Sequence, residues 1–194
     1  MALKTISQFK SQLRGGGARP NLFLVDIGAF GGLTTDADLG WEDAQTDFQF
    51  LCKASSFPAQ TIGSVDVPFR GRVLKVAGDR TFEPWSVTVI NDESFSVRTA
   101  FENWGRKIND LTTGVGVVAP TDYMGSGTIK QLSRSPGTAD QKVLQQYRVN
   151  DIWPSEIGSI DLSYDSSDAI EEFTVTFQVQ FMEILGGETV TSIE

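Results

Sequence analysis

The residue most able to carry out chemistry is the single cysteine, Cys52, because a thiolate can act as a nucleophile or bind a metal. The chain contains no histidine, so no imidazole can activate a thiol or a hydroxyl, and Ser-His-Asp or Cys-His catalysis is excluded. One cysteine also excludes a disulfide within the chain and any metal site built from several thiolates. We therefore interpret Cys52 as a small core residue.

The remaining candidate sites have spacings that fit their chemistry poorly. Glu171-Glu172 is an adjacent pair of carboxylates, which a strand points to opposite faces, and nothing indicates a glycosidase-like arrangement. The segment 36–40 matches only part of a calcium loop. The glycines at 15–17 follow a predicted helix rather than a strand, unlike a phosphate-binding loop. We predict that the chain is not an enzyme and has neither a cofactor nor a metal.

The net charge argues against a surface that grips nucleic acid. The 194 residues include 16 Lys+Arg and 25 Asp+Glu, which gives a formal charge of −9 at pH 7. Phosphate binding is driven by clustered Lys and Arg, so we expect no extended affinity for DNA, although contact without affinity is allowed. No apolar run approaches the roughly 20 residues of a membrane span.

The charges are segregated along the chain. Residues 1–19 carry four basic and no acidic residues, and residues 20–52 carry six acidic and no basic ones. The segment 53–148 is slightly basic, whereas residues 149–194 carry ten acidic and no basic residues. Such asymmetry usually concerns partners rather than the fold. The alternative, that the acids merely lie on solvated strand faces, stays open.

Near the N-terminus, Leu3, Ile6, Phe9 and Leu13 recur at spacings of three and four. This pattern predicts a short amphipathic helix with a basic outer face, ended by the glycine run. A helix of this length is marginal alone in water. It must therefore pack on its own domain or on a neighbouring subunit.

After Pro20 the apolar period changes to two, which predicts strands. The predicted strands cover residues 22–27, 47–53, 61–67, 72–76, 85–89, 127–134, 143–152, 159–164 and 172–181. The strand at 47–53 is expected to place Phe48, Phe50 and Cys52 on one face. The strand at 159–164 is expected to place Asp161 and Asp165 on an exposed face.

A single internal helix is predicted from the apolar positions 97, 101, 104 and 108, with an N-cap at Asn91-Asp92. About ten strands with one internal helix and no βαβ rhythm predict a mainly β fold, an antiparallel β-sandwich or barrel that also carries the short N-terminal helix. We expect a basic arm over residues 1–19, a sandwich domain over 20–185 and a polar tail over 186–194.

Several stretches together resemble a known family. Residues 18–23 read ARPNLF, FLCKA at 50–54 precedes Pro58-Ala59, and VAGDRTF at 76–82 leads into WSVTVINDE at 85–93. Later come Trp153-Pro154, YDS at 164–166 and IEEFTVT at 170–176. In this order and spacing they resemble the major tail tube proteins of contractile-tailed bacteriophages, over about residues 18–183.

The resemblance implies a β-sandwich subunit that forms hexameric rings, which stack into a hollow tube inside the contractile sheath. The implied partners are further copies of the chain, the tail sheath protein, baseplate and tail-terminator proteins and the tape measure protein. The resemblance also implies that DNA passes through the lumen without specific binding, and we expect no stable membrane insertion. Two departures from the family are an acid-rich insertion at 30–46 and the tail from Gly186.

Two other classes of function remain as alternatives. One is the tube protein of a contractile secretion or injection apparatus that delivers effectors. The other is a ligand-binding β-sandwich or a hydrolase, which predicts a monomer at high concentration where a tube protein predicts rings or rods.

An acidic lumen would repel the phosphate backbone and let DNA pass without sticking. The acids expected to face it are Asp161, Asp165 and Glu171.

Basic residues are expected to make contacts between subunits or between rings. In the arm these are Lys4, Lys10, Arg14 and Arg19, and in the segment 57–80 they are Arg70, Arg72, Lys75 and Arg80. That segment resembles the protruding inter-ring hairpin of the family. An ordinary exposed hairpin is the alternative, and Arg80 could instead form an ion pair with Asp79 or Asp92.

Overall fold

The computed structural model describes residues 5–13, 16–28, 40–136, 141–165 and 167–186. The helices in these ranges are α1 (Ile6–Gln12), α2 (Trp41–Leu51), α3 (Ser96–Ile108) and the single turn α4 (Pro120–Tyr123). The strands are β1 (Phe23–Gly28), β2 (Cys52–Ser55), β3 (Gln60–Phe69), β4 (Arg72–Phe82), β5 (Trp85–Ile90), β6 (Gly125–Pro136), β7 (Gln141–Ile157), β8 (Glu172–Gln178) and β9 (Phe181–Gly186).

The strands form two antiparallel sheets that share one long strand. The order is β1-β6-β7-β8-β5-β2, with β9 also paired to β7, while β3 and β4 form a separate ribbon. The first half of β7 pairs with β6 and β9, and its last residues, from Trp153, pair with β8. Between the halves lies Asp151, whose φ of 54° marks the corner where the strand changes sheet. The predicted mainly β, sandwich-like fold is confirmed.

Aromatic rings fill the space between the sheets and the helices. Phe101 of α3 lies 5.1 Å from the ring of Trp41 and 5.7 Å from that of Phe177, measured between centroids. Phe177 of β8 also contacts Trp85 and Trp104. Each buried indole has a hydrogen-bond acceptor; that of Trp41, for example, donates to the Ile27 carbonyl at 3.1 Å.

The strand predicted at 47–53 is wrong, because most of that segment belongs to α2. Trp41, Ala44 and Phe48 are buried at spacings of three and four, whereas Phe50 is 73% exposed. Residues 48 and 52 satisfy both a period of two and an i, i+4 helical spacing, so the alternation was coincidental. Residues 30–39 of the acid-rich insertion lie outside the described residues, as does most of the calcium-like segment.

Cys52 begins β2 and is buried, as expected of a core residue. Burial raises the pKa of its thiol to about 12, because the apolar surroundings disfavour the thiolate. The thiol therefore stays protonated at neutral pH and is a poor nucleophile.

The N-cap predicted at Asn91-Asp92 is also wrong, since α3 begins at Ser96 after Phe95, which adopts a left-handed φ of 55°. Asn91 is held by Glu171: its backbone N–H donates to the Glu171 carbonyl at 2.8 Å, and its side chain donates to the carboxylate at 3.1 Å. These bonds keep Asn91 beside β8, so the helix starts later.

The strand predicted at 159–164 is replaced by an irregular loop. The ladder between β7 and β8 ends at Ile157, and the Gly158 N–H then donates to the Thr174 carbonyl at 2.7 Å. A Cβ at Gly158 would lie 2.9 Å from that carbonyl oxygen, so only glycine permits this approach. Beyond it the chain leaves the sheet, and Asp161 and Asp165 lie on a loop rather than on a strand face.

The strand predicted at 172–181 is divided into β8 and β9. Phe173, Val175 and Phe177 are buried on the predicted face, but the pairing stops at Gln178. β9 then pairs with the first half of β7. The division occurs because the chain changes sheet between β8 and β9. It does so opposite Asp151, the corner of β7.

We predict that Phe48→Ala and Phe50→Ala will differ sharply in stability. Phe48 is fully buried, so its truncation should lower the free energy of unfolding by about 3–5 kcal/mol. The same change at Phe50 should have an effect within about 0.5 kcal/mol. Urea unfolding followed by circular dichroism measures both, and similar losses at the two positions would contradict the helical assignment.

Candidate assembly surface

The ribbon of β3 and β4 leaves the body as a long hairpin. Its base is closed by the Glu83 N–H, which donates to the Ala59 carbonyl at 2.9 Å. Every residue of β3 is exposed. Because a strand rises about 3.3 Å per residue, the ten residues of β3 extend roughly 30 Å. An isolated two-stranded hairpin is marginally stable in water, so a ribbon of this kind favours a partner.

One face of the hairpin is apolar. The register pairs Val65 with Val76 and Val67 with Leu74, and residues directly opposite each other share a face. Phe69, two positions beyond Val67, joins the same face. These side chains define the apolar face, whose members are Val65, Val67, Phe69, Leu74 and Val76. They are between 44% and 66% exposed, although each would be stabilised by burial.

The opposite face is more polar. It carries the ion pair of Lys75 with Asp66, whose nitrogen and oxygen are 3.2 Å apart. Both side chains are more than half exposed, so the pair contributes little to stability. Val73 and Pro68 share this face.

The tip of the hairpin is a two-residue turn with an unusual residue. Arg70 and Gly71 have φ values of 44° and 80°, the signature of a type I′ turn. Asn-Gly is the preferred sequence there, because a Cβ atom is strained at positive φ, glycine has none, and asparagine offsets the strain by hydrogen-bonding to the nearby backbone. The Arg70 guanidinium lies 5.3 Å from the centre of the Phe69 ring, a cation–π contact at the tip.

The predicted contact residues of the hairpin are all exposed. Arg70, Arg72 and Lys75 lie near the tip, while Arg80 lies near the base, opposite Ile62. Among the described residues Arg80 forms no ion pair, so neither Asp79 nor Asp92 holds it. Asp92 instead accepts a hydrogen bond from the Ser94 hydroxyl. A role for these basic residues in assembly stays a prediction.

The N-terminal helix α1 is confirmed, and all its residues are exposed. Thr5 caps it through a reciprocal pair of hydrogen bonds with Gln8. Lys10 and Arg19 are exposed, and the Arg19 carbonyl accepts a hydrogen bond from Gln131. Lys4 and Arg14 lie outside the described residues. Within the described chain, no residue of α1 is therefore buried against its own subunit.

The loop between β7 and β8 carries the predicted lumen acids. Asp161 and Asp165 are exposed, whereas Glu171 is half-buried beside Asn91. The loop borders a cleft of about 300 Å³. Because the strand that supported an exposed sheet face is absent, the lumen position of these acids stays a prediction.

The basic residues of the segment 57–80 do not predict the apolar face of the hairpin. Its signal in the sequence is the alternation of Val65, Val67 and Phe69. The described residues contain no cluster of three or more potential metal ligands and no helix that is long and apolar enough to cross a membrane.

Comparison with known proteins identifies a family for these features. A family model described as "Phage tail tube protein" matches residues 18–182. The chain is 34% identical over 170 residues to the tail tube protein gp19 of Enterobacteria phage T4, an alignment that covers 86% of this chain and 91% of that protein. It is 27% identical over 175 residues to the tail tube protein of Serratia phage KSP90, covering 89% and 92% respectively.

Solved structures of low sequence identity share the fold. A chain of the anti-feeding prophage cap superposes with a TM-score of 0.60 at 14% identity, covering 96% of this chain and 95% of that one. A chain from the sheath-tube complex of an extracellular contractile injection system, PVC, has a TM-score of 0.57 at 13% identity, with coverages of 95% and 99%.

We predict that the hairpin tip tolerates Arg70→Asn but not Arg70→Val. Asparagine adopts positive φ readily, whereas a β-branched residue there costs about 1–2 kcal/mol. Backbone amides near the tip should therefore exchange with deuterium about five- to thirtyfold faster in the Arg70→Val variant than in the Arg70→Asn variant. Arg72→Val is the matched control, since valine suits a strand. Equal exchange rates in the two valine variants would refute the turn assignment.

Proposed function

The chain belongs to the phage tail tube protein family, and on that premise we propose that its subunits form hexameric rings that stack into the hollow tube of a contractile tail. As a tail tube protein it is a structural component of the virion. Its relatives are tube proteins rather than enzymes, which confirms the prediction that it is not an enzyme.

The exposed apolar face of the hairpin supports this proposal most directly. Monomeric proteins rarely leave such a contiguous apolar surface in water. Association in which one patch binds a different patch on the next copy closes into rings or continues as a filament. The hairpin projects away from the body, so it reaches a neighbour without disturbing its own core.

Residues near the hairpin tip suit a contact with an acidic partner surface. Arg70 and Arg72 are exposed and have no ion-pair partner among the described residues. Other copies of this chain offer acids, because residues 149–194 carry ten acidic and no basic residues. Complementary charge of this kind fixes orientation and speeds encounter more than it adds affinity.

The same excess of negative charge suits a channel for DNA. A net charge of −9 gives the subunit little affinity for phosphates, so DNA could be delivered to the host through the lumen without being retained. Asp161, Asp165 and Glu171 were predicted to face that lumen. They remain candidates on charge alone.

The comparisons also suggest partners. The structural neighbours come from a sheath-tube complex, a baseplate, a tube terminator and a tube cap. We propose corresponding sheath, baseplate and tail-terminator contacts for this chain, and a tape measure protein inside the tube. The fold alone would equally suit an effector-injecting apparatus, but 34% identity to a phage T4 protein favours the virion.

Tube formation can be tested directly on the purified chain. We expect rings or rods in negative-stain electron micrographs and a high sedimentation coefficient at concentrations where a monomer would remain small. A monodisperse monomer at every concentration tried would refute the proposal. The dimensions of the rings, averaged as two-dimensional classes, would give their symmetry.

We further predict that assembly depends on one face and on the tip of the hairpin. Leu74→Ser removes an apolar side chain from the apolar face, whereas Val73→Ser removes one from the opposite face. Losing one buried aliphatic side chain costs about 1.5–3 kcal/mol, so Leu74→Ser should raise the concentration needed for tube growth at least about tenfold. Val73→Ser should change it much less.

Charge reversal at the tip provides a second variant of the same test. Arg70→Glu combined with Arg72→Glu should block tube growth, while circular dichroism shows that the subunit remains folded. Normal tubes from this variant, together with equal effects of the two serine variants, would show that the hairpin is not the contact.

A further inference from the structure

The arm helix α1 presents an apolar face that its own subunit does not cover. Ile6, Phe9 and Leu13 lie on one side at spacings of three and four, and they are 73%, 63% and 45% exposed. A seven-residue helix is marginal in water without a surface to pack on. The face therefore needs a binding site that the described part of the subunit does not supply.

The cleft beside β8 combines a few apolar side chains with a mostly polar and acidic lining. Its lining includes Ile160, Leu162 and Ile170. Leu162 is 79% exposed and Tyr164, on the same loop, is fully exposed, although the loop is otherwise polar. At about 300 Å³ the cleft is at the small end of the range of ligand pockets, which suits a few inserted side chains.

The charges of the two elements are complementary. The arm carries four basic and no acidic residues within positions 1–19, including the exposed Lys10. The loop of the cleft carries Asp161, Asp165 and Asp168, which form no ion pair among the described residues. Glu172, also at the cleft, already pairs with Lys53. Three carboxylates are thus available to a basic partner.

We propose that α1 of one subunit docks its apolar face in the cleft of a second copy, with the arm lysines facing the loop carboxylates. The proposal rests on the proposed function, because it needs adjacent copies. Nine residues separate Leu13 from Phe23, enough chain to span at most about 30 Å and reach a neighbour. For Asp161 and Asp165 this role is an alternative to a place on the channel wall.

A charge exchange tests the contact and shows whether it joins two copies. The arm-reversed chain carries Lys4→Glu and Lys10→Glu, and the cleft-reversed chain carries Asp161→Lys and Asp165→Lys. We expect each alone to need at least about tenfold more protein for tube growth, measured by pelleting and electron microscopy. An equimolar mixture should recover growth, because each arm then meets a cleft of opposite charge on the other chain.

A matched control replaces the cleft-reversed chain with Glu93→Lys and Asp122→Lys, two exposed acids that do not line the cleft. That chain keeps its own arm and cleft, so it should form tubes by itself, but the arm-reversed chain should not enter those tubes. Phe9→Ser should weaken assembly as much as the arm reversal does, since it removes an apolar side chain from the docked face.

The other outcomes are distinguishable. A third chain carries the arm reversal and the cleft reversal together. If this chain forms tubes but the mixture does not, the arm binds the cleft of its own subunit, which overturns the proposal. Normal growth of the single variants, or no recovery in the mixture, would also overturn it, and normal growth of the cleft-reversed chain would favour a lumen role for the acids. Failure of the unmodified chain to form rings or rods would overturn the proposed function itself.

Discussion

Contacts among six aromatic rings hold the subunit in its shape. Phe101 and Phe177 stand at the centre, each in contact with two further rings as well as with one another. Because these rings come from α2, α3 and strands of the sheet that contains β5 and β8, they fix the helices against the sandwich. Within the described residues the body leaves the hairpin and α1 exposed, so both remain available to other copies.

Much of this fold could be predicted because strand alternation is a local property. The buried positions of β5 and β8 follow from period two, and the hairpin follows from its own sequence. The segment 47–53 failed because seven residues cannot distinguish a strand from a helix when residues 48 and 52 suit both. The end of the ladder at Gly158 depends on a carbonyl of Thr174, sixteen positions away, so no local pattern could reveal it.

The candidate surface was predictable in charge but not in shape. The basic tip and the base-free C-terminal region are compositional facts, whereas the cleft exists only because the predicted strand at 159–164 is a loop. That correction changes the interpretation of its acids. On a strand they would have formed one exposed face, but on the loop Asp161 lines a cleft together with apolar side chains, and Asp165 lies on the same loop.

The exposed hairpin also bears on how a tube would start. A ribbon that gains its stability by docking becomes ordered when its subunit joins a growing tube. The first subunits to associate lose this conformational entropy before a full set of contacts compensates for it. Extension of an existing end would therefore be faster than spontaneous nucleation. A subunit built in this way would tend to give a few long tubes rather than many short ones, and a preformed template would set where they begin.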